Sequence, residues 1–481
     1  MNLVKKNISK SQVFQILILV FSAVLIPYLM VITSYLMAAL VLGIIASILV
    51  LISIFWHYKA GIYILLLYSS FIFLIDRILM ANIPFGIAVE VLIVLTFIAL
   101  LIQQKGKESF QWKLNEPIVI IQLIFYSYFI LQIANPNAVS ISAWLASARF
   151  LTTFILFYIF LHFLSNLRDL KIFTRAWLII AMMVAAYGVF QEYVGLRDFE
   201  WRWIRAVPNR YDLYFIWGHM RKFSFLSDPS AYGLFLGFTG LSALMMSFGP
   251  YSKSKKVVLI CMTLFMFFAM SFAGTRTAYA MVAVGVFLFI FMNLRDPRIL
   301  GISVFIVIVV TILITGPFYS APINRMRSTL NLSEDASMNV RDIKRIRLQK
   351  YIKKNPIGGG INTAGNAGLR YSRGHPLAGR YDPDSGYLRT ALEMGWIGAF
   401  LVICLNGAIV IKGISNHFRL KNPTLRTYNL MYVIPFLGLT VAHYTQDALF
   451  QKPVNLLVIA TYALMVKLPD LDEEKQKPPR K

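Results

Sequence analysis

The sequence predicts an all-α polytopic membrane protein, one membrane domain over residues 1–481 with about 14 transmembrane helices and one large basic external loop. Three observations carry that expectation. Hydrophobic residues make up 58% of the chain and charged residues only 14%, a balance that water-soluble domains do not have. Apolar stretches long enough to cross a bilayer recur from Val13 almost to Val466, leaving no room for a soluble domain between them. The short connections between these stretches alternate in basic content, as the positive-inside rule requires. A secreted enzyme, a cytosolic enzyme and a DNA-binding factor are excluded together. The net charge of +25 then bears on which face of the membrane carries it, and no nucleic-acid partner is expected.

The basic N-terminus MNLVKKNISKSQ runs into a long apolar stretch with no clear small-residue cleavage site, so it reads as an uncleaved first span. Spans are expected near 13–32, 36–56, 60–80, 85–103, 117–134, 144–164, 173–194, 229–248, 256–273, 277–293, 298–316, 391–411, 427–444 and 449–466. The groups Lys5/Lys6/Lys10, His57–Lys59, Lys105/Lys107/Lys113, Arg168/Lys171/Arg175, Lys253/Lys255/Lys256, Arg295/Arg298 and Lys412/Arg419/Lys421/Arg426 all fall on one face of this alternation. That face is expected to be cytoplasmic, with both termini on it and residues 468–481 as a disordered cytoplasmic tail. Cys261 and Cys404 lie inside apolar runs and read as small core residues rather than a disulfide or metal site.

Two segments on the opposite face break the pattern. Residues 317–390 carry 13 lysines and arginines against 5 acids, and residues 196–222 carry 6 against 3. Long loops cross the membrane largely regardless of charge, so the topology stands, but the charge needs a reason. Solvated loop faces or phospholipid headgroups are one; a site for a polyanion at the membrane surface is the other. Arginine outnumbers lysine here, and its planar fork suits bidentate phosphate contacts, which points to a diphosphate-linked lipid.

Three local patterns narrow the field. Arg221-Lys222-Phe223-Ser224 leads into Ser227-Asp228-Pro229-Ser230, a helix-start signal. Ser271-Phe272-Ala273-Gly274-Thr275-Arg276 is a small-residue turn between two spans. Asn355-Pro356-Ile357-Gly358-Gly359-Gly360-Ile361-Asn362 is followed by Asp384-Ser385-Gly386-Tyr387-Leu388 and Glu393-Met394-Gly395-Trp396-Ile397-Gly398. In this order, from about Arg221 to Phe400, the patterns resemble the O-antigen ligase and O-antigen polymerase superfamily of bacterial envelope enzymes. Asp384 stands where the ligases carry histidine and Ser385 where they carry asparagine, a departure that leans towards a polymerase.

The resemblance implies a metal-independent, inverting membrane glycosyltransferase of the bacterial plasma membrane that needs no cofactor. Its substrates would be an undecaprenyl-diphosphate-linked glycan and an acceptor glycan, with membrane lipid around it and a flippase and chain-length regulator as further partners. Polymerisation of repeat units on the outer face is the expected reaction; a ligase moving finished glycan, or a lipid-linked oligosaccharide flippase, are the alternatives. The external loop 317–390 favours the enzyme, because a flippase would keep its outer loops short and its cations in a central cavity.

Such chemistry needs cations at the departing diphosphate and a base at the attacking hydroxyl. Arg221 and Arg276 are the expected clamp, with Arg149, near the outer end of its span, and Arg380 and Tyr387 as further substrate contacts. Asp384 is the first choice of base and His375 the second. Each has a structural reading beside it: Arg276 as an interfacial anchor, Asp384 as the N-cap of the helix that follows, and His375 as a solvated loop side chain. Glu90 and His443 are costly in lipid and should face protein, a cavity or the interface, whereas Asp76 and Arg77 read as solvated or paired. Trp201, Trp203, Tyr211, Tyr214, Phe215 and Trp217 could stack on sugars or form an interfacial belt.

Overall fold

The computed structural model describes residues 35–80, 84–105, 110, 112–208, 210–216, 218–295, 348–380 and 383–476, with isolated positions between 297 and 346. The expected first span, most of the 298–316 span, the loop stretch 328–345, Trp217 and residues 477–481 lie outside these. The described residues are almost all helical. In chain order the helices are α1 (Tyr35–Trp56), α2 (Tyr58–Leu79), α3 (Gly86–Gln104), α4 (Pro117–Leu131), α5 (Ile141–Ser147), α6 (Thr152–Phe163), α7 (Leu167–Tyr193), α8 (Asp198–Arg205) and α9 (Arg210–Tyr214). A two-stranded hairpin, Phe215–Ile216 with His219–Met220, follows. Next come α10 (Pro229–Ser247), α11 (Lys253–Ser271), α12 (Arg276–Met292), α13 (Gly365–Tyr371), α14 (Gly386–Arg419), α15 (Pro423–Ala442) and α16 (Val454–Gln476).

Among the described residues nine helices are long and apolar enough to cross a membrane. The most enclosed is α10, 89% buried, surrounded by α11, α12 and α15; α3, 28% buried, lies at the periphery. Large apolar side chains such as Ile44, Leu264, Phe287 and Ile411 point outward, which is stable only if the surrounding solvent is hydrocarbon. Cys261 also faces outward, so it is not the core residue that its apolar surroundings indicate. Capping follows the sequence signals. Asp228 accepts from the backbone N–H groups of Ser230 and Ala231 ahead of Pro229, and Asn422 does the same for Thr424 and Leu425 ahead of Pro423.

Polar contacts between loops sort them into two ends. Lys59 pairs with Asp169 at 2.5 Å, Lys412 with Glu116 at 2.9 Å and Lys113 with Asp470 at 3.0 Å, and Asp472 accepts from the backbone of Lys421 and Asn422. Lys59, Lys113, Lys412 and Lys421 belong to the basic groups, and Asp470 and Asp472 lie near the end of α16. At the other end, Asn135 and Asn137 donate to the carbonyls of Ile357 and Gly358, Arg221 reaches the 273–275 turn, and Gly386 donates to His443. Several of the basic connections thus meet at one end of the bundle and the glycine-rich loop contacts gather at the other.

Two expectations are corrected here. The stretch 468–476 is not a tail: α16 runs through it because Leu468 and Leu471 are buried in the bundle and Asp472 satisfies backbone donors at the start of α15. Arg77 is not solvated. Its guanidinium is fully buried between the rings of Trp203, 4.8 Å away, and Phe223, 4.3 Å away, and donates to the carbonyls of Ser224 and Leu226. Arg210 covers Trp203 as well, at 3.9 Å, so this tryptophan holds the 196–222 segment onto the bundle rather than being open to a sugar.

Candidate active site

The first arginine is held by the turn that carries the second. Arg221 donates from Nε to the Ala273 carbonyl at 2.9 Å and from Nη2 to the Thr275 hydroxyl at 2.9 Å, while the Lys222 N–H donates to the Phe272 carbonyl at 2.9 Å. Lys222 itself pairs with Glu192 at 3.4 Å. Arg276 is the next residue but one after Gly274 and opens α12, half-buried. The backbone N–H groups of a helix start add positive potential at that point. Two motifs separated by about fifty residues thus form one cationic edge.

Beyond Arg276 the contacts continue to the loop. The Thr277 hydroxyl meets that of Thr445 at 3.0 Å, and the His443 carbonyl two residues earlier accepts from Gly386 N–H at 3.1 Å and the Ser385 hydroxyl at 3.4 Å. Gly386 must lack a side chain, since a Cβ there would sit 1.8 Å from the His443 ring. Asp384 stands exposed beside this junction. It is not the N-cap of α14: Ser385 is, accepting from Leu388 N–H at 3.3 Å. Tyr387 turns inward, its ring edge-on to His443 at 4.7 Å and its hydroxyl accepting from Asn406 at 3.2 Å. Arg380 is exposed on the loop.

The glycine-rich segment and the Glu-Met-Gly-Trp-Ile-Gly segment dock on each other. Gly359 and Gly360 donate to the carbonyls of Leu392 and Glu393 at 2.8 and 2.9 Å. This is possible because α14 kinks at Gly395, whose φ of 72° is open to glycine and where a Cβ would lie 1.8 Å from the Pro356 carbonyl oxygen. The buried Glu393 carboxylate accepts from the backbone of Asn362 and Ala364, closing the join. His375 is folded into the same loop. Its Nδ1 accepts from Leu377 N–H at 3.2 Å, its Nε2 is 3.4 Å from the Tyr351 hydroxyl, and it is buried rather than solvated. Burial lowers its pKa. The folded loop therefore favours the neutral ring; its contribution is complete above the ordinary histidine range and is lost as pH falls towards the depressed folded pKa. The protection factor of the Leu377 amide, taken against the intrinsic exchange rate at each pH, should fall on acidification below about pH 6.5 in the wild type, and this fall should disappear in His375→Gln.

Beneath this junction lies a cavity of about 680 Å³. Arg149 lines it and is exposed, so it stands at the mouth. Inside, Arg389 pairs with Asp447 at 3.0 Å and Lys452 with Glu90 at 3.2 Å, and Asn362 and Glu393 bring the loop motif to the wall. Burial pushes the Asp447 carboxyl above the ordinary range, opposed by Arg389. Arg221, Arg276, Asp384, His375, Tyr387 and Arg380 do not line this space. Sequence reasoning missed Arg389, Asp447 and Lys452. It placed a span at 449–466, whereas α16 starts at Val454 and residues 443–453 form the turn that builds the wall. The signal that was readable was the charge of Glu90 within α3.

Comparison with known families bears on these same segments. Residues 261–403 match the O-antigen ligase family. The matched domain takes in the 271–276 turn, the loop and the first half of α14 with its kink, and it supports a membrane enzyme of the O-antigen ligase and polymerase superfamily. It stops short of Arg149, Arg221 and the 443–453 turn. No curated protein matches the chain.

Proposed function

We propose that this chain polymerises undecaprenyl-diphosphate-linked oligosaccharide repeat units into a surface polysaccharide on the outer face of the bacterial plasma membrane. The observation that carries the proposal is that the contacts Arg221–Thr275, Thr277–Thr445 and Ser385–His443 bring Arg221, the 271–276 turn and the start of α14 together, the last two within the segment that matches the O-antigen ligase family. In this reading the acceptor hydroxyl attacks the anomeric carbon of the donor sugar, the bond from that carbon to the diphosphate oxygen breaks, and the configuration inverts. Arg221 and Arg276 stabilise the departing diphosphate without a metal, with Arg149 and Arg380 as further phosphate contacts. Asp384, exposed next to the Ser385–His443 junction, takes the hydroxyl proton. The ligase reaction uses the same groups with another acceptor; Asp384 in place of the ligases' histidine favours polymerisation. The domain match gives no support to a flippase.

The test is transfer in proteoliposomes supplied with an undecaprenyl-diphosphate-linked repeat unit, where the expected product is a ladder of lengthened chains. Orientation belongs to the same proposal: about fourteen spans, both termini cytoplasmic, and the loop 317–390 outside. A cysteine placed at Lys253, which is exposed, should react with a membrane-impermeant reagent only after permeabilisation, and one at Ser337 should react in intact cells; Asn416, expected on the same face as Lys253, is buried against Met465 and is not open to the reagent. Protection of Ser337→Cys in intact cells would overturn the orientation.

A further inference from the structure

The backbone on both sides of Asp384 is fastened to a single turn. After it, the Gly386 N–H and the Ser385 hydroxyl both donate to the His443 carbonyl, at 3.1 and 3.4 Å. Before it, Arg389 donates from Nη2 to the Pro383 carbonyl at 3.4 Å and from Nη1 to the Asp447 carboxylate at 3.0 Å. Arg389 stands in the first turn of α14, where its own N–H donates to the Ser385 carbonyl at 2.9 Å. The receiving turn is closed on itself: the buried His443 ring accepts at Nδ1 from the N–H groups of Ala448 and Leu449, at 3.1 and 3.4 Å. Between the two anchor points, the Thr445 hydroxyl meets that of Thr277, the residue after Arg276. Residues 443, 445 and 447 therefore refer Asp384 and Arg276 to one stretch of backbone. That stretch lies outside the segment that matches the O-antigen ligase family.

We infer that Arg389 is a positioning residue for Asp384, itself held in place by Asp447. The inference rests on the reading of Asp384 as the base and names what sets that group against the cationic edge. Proton transfer needs its acceptor held within about 0.5 Å of the productive place. Asp384 is exposed, so packing does little to hold it, and the backbone on either side must do so instead. The Arg389 fork suits this task, because one planar group reaches a carbonyl and a carboxylate at once in fixed directions. Its bond to Asp447 joins two full charges and is the stronger of the two; the bond to Pro383 transmits that anchorage to the residue before Asp384.

The test uses the full chain in nanodiscs, with Cys261→Ser and Cys404→Ser and a nitroxide attached to Asp384→Cys, and reads the mobility of the label from its spectrum. Arg389→Gln should turn a restricted label into a mobile one. Arg389→Lys should give an intermediate spectrum, because an ammonium keeps the pair with Asp447 and loses the fork. A label on Lys354→Cys, exposed elsewhere in the loop, should not change in either variant. With Asp384 in place, Arg389→Gln should lower kcat for chain extension about 10- to 10²-fold and leave KM unchanged. Asp447→Ala combined with Arg389→Gln should cost no more than Arg389→Gln alone, since the two side chains act as one unit. An unchanged spectrum at position 384 in Arg389→Gln, or an equal gain in mobility at position 354, would overturn the inference. So would a raised KM with kcat unchanged, which would make Arg389 a substrate contact. A mobile label at position 384 together with normal transfer from Asp384→Asn would uphold the fastening and overturn the base assignment, so the two failures are distinguishable.

Discussion

Arg276→Ala should reduce chain extension about 10²–10³-fold while the protein remains inserted, the loss expected when one donor to the charge developing on a leaving group is removed. The residue opens α12 at the 271–276 turn, where the helix N-terminus already favours an anion. Arg276→Lys should recover part of the activity, because it keeps the charge and loses the fork. Arg221 also has a structural role. Its Nε and Nη2 hold Ala273 and Thr275, so Arg221→Ala removes a cation and also frees the turn that presents Arg276. Its lysine variant should therefore be rescued less well than that of Arg276. Glycan synthesis close to normal from Arg276→Ala at equal protein level would return that residue to an anchoring role.

Asp384→Asn should cut extension by about 10²–10⁴-fold, the usual contribution of a positioned base. The substitution is clean because Ser385, not Asp384, caps α14. Asn keeps the size of the side chain while removing its negative charge and its ability to take a proton. Asp384→His should retain some activity. His375→Ala should act through the loop instead, since the Nδ1 of that ring is spent on Leu377 N–H. Glycan ladders on gels at matched expression separate these outcomes. Normal ladders from Asp384→Asn with loss in His375→Ala would assign the proton transfer to His375 despite that bond. Normal ladders from both, with loss in Asp447→Asn, would move it into the cavity.

Much of the bundle was readable in the sequence because membrane spans are set by length and apolarity, and α2, α3, α4, α10 and α11 fall within a few residues of their expected bounds. The ordering of loops into two ends was also readable, through the placement of lysine and arginine. The relation between Arg221 and the 271–276 turn could be anticipated only as two motifs of one family; their hydrogen bonds depend on how α10 and α11 pack. Burial of Arg77 could not be read, since a charge at a span end is ordinarily solvated and only the rings of Trp203 and Phe223, more than a hundred residues away, enclose it. The cavity was hidden for a similar reason. Its polar residues come from several elements, among them α3, the loop at Asn362, α14, the 443–453 turn and the start of α16, and of these only Glu90 stood out in the sequence.

The most direct test of polymerisation is the glycan left in a strain from which this chain has been deleted. Lipid-extracted material should contain single repeat units on the undecaprenyl diphosphate carrier, and wild-type chain, but not Arg276→Ala or Asp384→Asn, should restore the ladder. Accumulation of complete, unattached chains on the carrier would contradict the account and make the protein a ligase.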